Sequence, residues 1–236
     1  MNRAGCLFAM AWLAAVGATA NDAGDLVFPS DYPYRARAEL LYENVQRGLE
    51  VTSESPGVKA DLKADVFAVR LQTEVGPYAR LDFDVGAMSA GSGSHKLMGG
   101  VGLRYLALTR DPWRAGAFGQ VRYAPGLSDR LDLGERGAAR VKYDLVEADA
   151  GFLVAYRLSL GPDFAIVPYA GPVVSILRLS GDESTGEGRE RFRAEEDRLF
   201  GGVLGLGLEF QGGNGLRFEG RYFDDLSVSV AASLVF

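Results

Sequence analysis

Two residue types that build metal and nucleophile sites are almost missing from this chain: Cys6 is its one cysteine and His95 its one histidine. A single cysteine excludes an intrachain disulfide, and one histidine without cysteine partners excludes the usual metal-ligand spacings. No apolar run reaches the roughly 20 residues that a membrane-crossing helix needs. No segment carries a capped helical apolar period, so a helical bundle is not expected. Basic charge is not in excess: 25 Lys and Arg face 31 Asp and Glu, a net of −6. An acidic chain without basic stretches interleaved with aromatics is a poor partner for phosphate backbones, so no nucleic acid is expected. The glycine-rich stretches do not open helices, which leaves no nucleotide motif.

What is present begins with Met1–Ala20. Arg3 is followed by an apolar run from Cys6 to Val16 and then by Ala18-Thr19-Ala20, the layout of a cleaved export signal. Cys6 precedes the apolar run, where a lipid-anchored cysteine would follow one. Cleavage removes one charge, Arg3, so the balance becomes 24 − 31 = −7. A turn-rich leader, 21–33, separates the signal from the rest.

From Tyr34 onward the apolar period is two. About ten strands are expected: Tyr34–Glu50, Lys59–Val75, Tyr78–Met88, His95–Thr109, a fifth from Trp113, Val141–Arg157, Ala165–Leu179, Leu199–Phe210, Leu216–Phe223 and Leu226–Phe236. The seventh carries Pro168 and Pro172, each lacking a ladder donor, and should be kinked or bulged. The last alternates Leu226, Val228, Val230, Ala232, Leu234 and Phe236 with Ser227, Ser229, Ala231 and Ser233. It resembles the closing strand of bacterial outer-membrane barrels, where a terminal Phe belongs to the assembly signal.

Loop lengths sort by parity. Even-to-odd links are tight: Gly76-Pro77, Arg110-Asp111-Pro112, Gly161-Pro162-Asp163 and Gln211-Gly212-Gly213-Asn214. Three odd-to-even links are long and polar, Thr52–Val58, Ala124–Arg140 and Ser180–Arg198, and the other two, Ala90–Ser94 and the Asp224-Asp225 turn, are short. Tight turns at one end and long loops at the other are the asymmetry of an outer-membrane barrel. One face of the strands is nearly free of charge, as lipid contact requires. Trp113, Tyr156, Phe210 and Phe236 fall near the tight-turn end, as a periplasmic aromatic girdle would. The fold class expected is all-β, a single antiparallel transmembrane barrel over 34–236 of about ten strands, with eight possible. A soluble periplasmic β-sandwich is the alternative.

The opposite face gathers charge. Arg70, Arg80, Arg104, Arg122, Arg157, Arg217 and Arg221 share the expected lumen with Glu74, Asp82, Asp84, Glu147, Asp149, Glu209 and Glu219. A lumen of this width can be plugged by such ion pairs, or it can form a narrow charged constriction for small solutes or ions. Inward Gly100, Gly102, Gly201, Gly205 and Gly207 leave room for water or mark curvature. A rim enzyme would need His95, with Ser92 and Ser94 beside it, oriented by a carboxylate; no motif supports this. The Ser180–Arg198 segment reads as a solvated loop, or as a contact for lipopolysaccharide or a host surface.

Phe118-Gly119-Gln120-Val121-Arg122-Tyr123-Ala124-Pro125-Gly126-Leu127-Ser128, with Leu145–Gly151 and Tyr156-Arg157 after it, resembles the YfaZ-type family of small outer-membrane proteins. That family shares a strand ending Tyr-x-Pro-x-x-Leu-Ser and a following strand with Glu-Ala-x-Ala. The resemblance covers about forty residues. It implies a barrel in the outer membrane and brings no catalytic residue. The expected protein is therefore a monomeric outer-membrane barrel, structural or a narrow channel, rather than an enzyme. Its expected partners are membrane lipid, lipopolysaccharide and, through the C-terminal strand, the barrel-assembly machinery; no cofactor or metal is expected.

Overall fold

The computed structural model describes residues 36–236 apart from 53–57, 77, 92, 133–137, 186–187 and 212. The expected signal, leader and Ser92 lie outside the described residues. Twelve strands follow in chain order: β1 (Ala36–Val51), β2 (Val58–Gly76), β3 (Ala79–Ala90), β4 (Lys96–Arg110), β5 (Trp113–Asp132), β6 (Ala138–Tyr156), β7 (Leu158–Ser159), β8 (Phe164–Thr185), β9 (Gly188–Glu196), β10 (Phe200–Phe210), β11 (Asn214–Tyr222) and β12 (Leu226–Val235). All pairings are antiparallel. Ten strands run β1-β2-β3-β4-β5-β6-β8-β10-β11-β12 and close on themselves, with β12 against β1 from Arg37↔Val235 to Asn44↔Val228. The result is a single antiparallel transmembrane β-barrel with no free edge at its belt.

Alternation explains the wall. On β2, Phe67, Val69 and Leu71 stand outside, 44%, 41% and 53% exposed, while Arg70 and Gln72 between and beside them are buried inside. The same apolar-out, polar-in order holds on β3 with Phe83 and Val85 against Asp82 and Asp84, and on β11 with Phe218 and Tyr222 against Arg217, Glu219 and Arg221. An apolar belt of this height, continuous around the ring, is stable only when hydrocarbon covers it.

Above the belt the order inverts. On β1 the outward residues change from Ala38, Leu40 and Tyr42 to Asn44, Gln46 and Glu50, while Val45, Leu49 and Val51 turn inward. On β2, Asp61, Lys63 and Asp65 face out over Leu62, Ala64 and Val66. On β1, β2, β6 and β8 a pair of adjacent apolar residues lies near this level: Leu40-Leu41, Val66-Phe67, Leu145-Val146 and Ile176-Leu177. These pairs are where the apolar stripe moves from the outer to the inner face.

The projecting part is a second closed wall, here called the crown. The links Ala124–Arg140 and Ser180–Arg198, expected as loops, are largely strand. β5 and β6 remain paired up to Asp132↔Ala138, and β8 and β9 up to Thr185↔Gly188. Over the tops of the short strands β10–β12, β9 takes their place and joins β1 through Leu49↔Glu196, Glu50↔Glu195 and Val51↔Ala194. On the opposite side the β3–β4 turn fills the gap between β2 and β5. There the Gly91 amide donates to the Lys63 carbonyl at 2.9 Å, and Gly93 lies so close to the Ser128 carbonyl that a Cβ would overlap it. The crown encloses an apolar core including Leu49, Leu62, Leu127, Val141, Tyr143, Leu179 and Phe192. Where the side chains of the second link are described, Arg191, Arg193 and Glu195 are exposed and Phe192 and Ala194 are buried. Of the two prolines of β8, Pro172 falls in a gap of the ladder with β6, between Gly151↔Val173 and Val154↔Ala170, but the register does not shift across it and Pro168 lies outside it, so the expected bulge is not seen among the described pairings.

Candidate functional site: the charged interior and its junction with the crown

Within the barrel and at its junction with the crown the described residues include nine buried arginines (Arg37, Arg47, Arg70, Arg80, Arg104, Arg114, Arg122, Arg217, Arg221) and nine buried carboxylates (Glu39, Glu43, Asp82, Asp84, Glu147, Asp149, Glu196, Glu209, Glu219). Among the described residues the buried arginines and buried carboxylates are equal in number, so each cation can have an acidic partner. Every buried cation is arginine, whose fork can meet two acids at once and which stays charged at any pH the protein meets.

The sheet register sets the pairs. Arg70 and Asp84 are direct partners on β2 and β3, and the guanidinium grips the carboxylate with both arms, Nε to Oδ1 at 2.7 Å and Nη2 to Oδ2 at 2.8 Å. Arg70 also reaches Glu39 at 3.5 Å, and Arg217 meets the same Glu39 at 3.3 Å. Arg104 is bonded to Asp82. Across the lumen, Arg122 donates to Glu43 at 2.6 Å and lies 3.5 Å from Glu147. Arg221 bridges Glu219 at 2.7 Å and Asp149 at 3.0 Å, and Gln120 donates to Asp149 at 2.8 Å. The expected lumen set Arg70, Arg80, Asp82, Asp84, Arg104, Arg122, Glu147, Asp149, Arg217, Glu219 and Arg221 all points inward and is buried.

Two residues grouped with them do not join the core of the network. Glu74 is a third exposed, beside Arg80, and Arg157 lies at the short-turn rim, bonded to Glu209 at 2.6 Å. Of the inward glycines, Gly100 and Gly102 lie against the Arg122 and Asp82 side chains, and Gly201 and Gly205 hold neighbouring rings. A Cβ at Gly205 would overlap the Tyr169 ring and one at Gly201 the Phe223 ring, an aromatic covering a glycine across the ladder. Tyr169 completes its place by donating to Glu219 at 2.7 Å. With Leu106, Phe118, Leu153, Val173 and Val203, these rings pack part of the interior as apolar core.

Arg47 and Glu196 join the two regions, and sequence reasoning missed both. Arg47, with no exposure, sits where the charged layer ends and the crown core begins. It lies 3.2 Å from Glu196 of β9 and 3.7 Å from Glu147 of β6. It also donates to the Ser227 hydroxyl at 2.6 Å and stacks 4.2 Å over the Phe223 ring. Burial pushes the Glu196 carboxyl above its ordinary range, against the pull of the Ser175 hydroxyl and of Arg47. One available signal was its period: Glu43, Val45, Arg47 and Leu49 continue the inward phase set by Arg37 and Glu39. For Glu196, the alternation Phe192, Ala194, Glu196 within a charged run was the corresponding sign.

The four aromatics expected as a girdle all stand on the outside at the short-turn end. Trp113 and Tyr156 are cross-strand partners with ring centres 4.9 Å apart, Phe210 packs against Phe164 at 5.5 Å, and Phe236 is 72% exposed. His95 is exposed just ahead of β4. Among the described residues no cluster of His, Cys, Asp and Glu is arranged to hold a metal.

No protein-family model matches the chain, so the YfaZ-type resemblance finds no support there. No curated protein matches it. Among solved structures, the outer-membrane protease OmpT of Escherichia coli is similar at 11% identity and a TM-score of 0.48, covering 88% of this chain and 99% of its own. The translocator domain of the autotransporter NalP from Neisseria meningitidis is similar at 14% identity and TM-score 0.44, covering 91% and 92%. The toluene transporter TodX of Pseudomonas putida is similar at 10% and 0.34, covering 92% and 94%. The activities named for these proteins are theirs.

Proposed function

We propose that the chain is a bacterial outer-membrane barrel whose lumen is closed by its own side chains, and that the crown it carries outside the cell is its working surface. One observation carries this reading: a buried layer of paired arginines and carboxylates lies directly beneath an apolar core. An ion entering from the crown side meets hydrocarbon, and an apolar solute that passes the crown meets buried charge, so each layer opposes what the other would admit. In this reading the tight-turn end faces the periplasm, Trp113, Tyr156, Phe210 and Phe236 anchor it at the headgroups, and the terminal strand serves assembly. The Tyr123-Ala124-Pro125-Gly126-Leu127-Ser128 stretch has one residue fewer between Pro and Leu than the YfaZ-type motif, so of that resemblance only the Glu147-Ala148-Asp149-Ala150 run speaks for this placement.

A narrow water passage is the second reading. It is favoured by buried polar atoms that no protein atom satisfies, among them Asp149 Oδ1, Glu147 Oε1, Arg104 Nη1 and Arg122 Nε, since such groups are ordinarily met by water. Planar-bilayer recordings of the refolded protein separate the two. The closed reading expects silent membranes, with conductance appearing in Arg122→Ala; steady wild-type conductance whose selectivity shifts in Arg104→Ala or Arg122→Ala would replace it. A rim enzyme remains a minor alternative, tested by lipid A composition with wild type and His95→Ala.

A further inference from the structure

The outer wall is not uniformly convex. A groove of about 570 Å³ opens on the outside of β8, β10, β11 and β12. The register builds it. Leu204, Gly220 and Val228 stand side by side on three neighbouring strands, and Leu206, Phe218 and Val230 form the next outward row. Gly220 has no side chain, so a notch runs between Leu204 and Val228, ending against the Phe218 ring. Glu219 and Ser229 border the groove but turn their side chains inward, where both are buried. No lysine or arginine lines it.

We propose that this groove seats one acyl chain of a membrane phospholipid and retains it longer than the rest of the belt retains its lipid. The groove is continuous with the hydrocarbon-facing belt, so its occupant is drawn from the bilayer. A chain lying in the notch touches walls on both sides, where a chain on a rounded wall touches one, and dispersion contacts grow accordingly. Its volume is within the range of small-ligand sites. The lining lies in the hydrocarbon belt and carries no cation, so it suits an acyl chain and not a headgroup phosphate. A flexible chain fits a notch one residue wide, whereas a second copy of the barrel would need a broad complementary face. The inference is independent of whether the lumen conducts.

The test uses the full chain refolded into phosphatidylcholine bilayers doped with a phospholipid carrying a diazirine on its acyl chain. After irradiation, adducts are mapped by mass spectrometry. Adducts at Leu204–Leu206 and Val228–Val230 are expected several-fold above those at the outward Val101 and Leu103 of β4. Gly220→Leu should reduce them to the β4 level without changing heat-modifiable migration. The variant is compatible with the fold, because a Cβ at Gly220 meets only Leu226 Cδ1 at 3.5 Å and the Leu204 carbonyl at 4.0 Å. Should it fail to fold, Leu204→Ala with Val228→Ala lowers the walls and should reduce the same adducts. Uniform labelling around the belt, or groove adducts unchanged in a folded variant, would overturn the proposal.

Discussion

The membrane ring and the crown are built from the same strands with opposite chemistry. In the ring, β2 shows Phe67, Val69 and Leu71 to lipid and turns Arg70 and Gln72 inward; a few residues earlier the same strand shows Asp61, Lys63 and Asp65 to water over Leu62, Ala64 and Val66. The backbone does not change; the solvent does. Lipid requires an apolar exterior and leaves polar residues to share the inside, where only pairing makes them tolerable. Water reverses the requirement and permits an ordinary hydrophobic core. The comparison shows that the strand pattern records where the membrane ends.

The junction is where the difference is most exposed to test. Arg47→Met removes the guanidinium while keeping much of its bulk, and leaves Glu196 and Glu147 without their shared cation. Breaking a buried ion pair from one side costs about 3–5 kcal/mol. Protease should then cut the β8–β9 hairpin while the ring keeps its heat-modifiable migration. Arg70→Met, equally buried but within the ring, should instead weaken the whole barrel in urea and leave the crown no more sensitive than the ring. Identical proteolysis patterns from the two variants would mean that ring and crown unfold as one unit.

Truncations contrast the two faces. Leu62→Ala opens a cavity in the crown and should cost about 2–5 kcal/mol in urea unfolding of the refolded protein. Val69→Arg places a charge against hydrocarbon on the same strand and should cost about 2–4 kcal/mol, depending on depth. Lys63→Leu, between these positions but on the crown's wet face, should change stability by no more than about 0.5 kcal/mol. A large loss at Lys63, or none at Val69, would place the membrane boundary elsewhere.

The ring was legible in the sequence because its signals are redundant. Period-two alternation, tight Gly-Pro and Asp-Pro turns and a charge-free face all point to one barrel of about ten strands, and the structure closes that number with β12 on β1. The crown was not, although the phase slips at Val66-Phe67 and Leu145-Val146 were visible. Alternation identifies two faces without saying which is inside; that is decided by the solvent, which no single strand reports. The run from Asp182 to Arg198 read as loop because charge dominates it, yet Phe192 and Ala194 mark every second residue. Arg47 and Glu196 escaped for a related reason. Their partners lie on β6, β8, β12 and the turn before β12, and register over such distances is fixed only when the ring and the crown both close.

The smallest expected effect tests the crown's wet face, where electrostatics should behave as on any soluble protein. Lys59 of β2 is bonded to Asp197, whose amide in turn donates to the Gly48 carbonyl of β1 at 3.1 Å. Its ammonium is exposed, and the Asp197 carboxylate raises its pKa above the ordinary lysine value. A base whose pKa is raised by folding stabilises the fold while it is charged in both states, and the contribution is lost as pH rises through the folded value. Wild type should therefore slightly exceed Lys59→Gln in urea midpoint at pH 8, and the gap should close as pH passes above the lysine range. Salt should close it too, since solvent screens an exposed pair. The buried Arg70–Asp84 pair differs on both counts: arginine does not titrate there, and ions do not reach it. A Lys59 contribution that persists in high salt would mean that the crown's surface is less open to water than its outward charges imply.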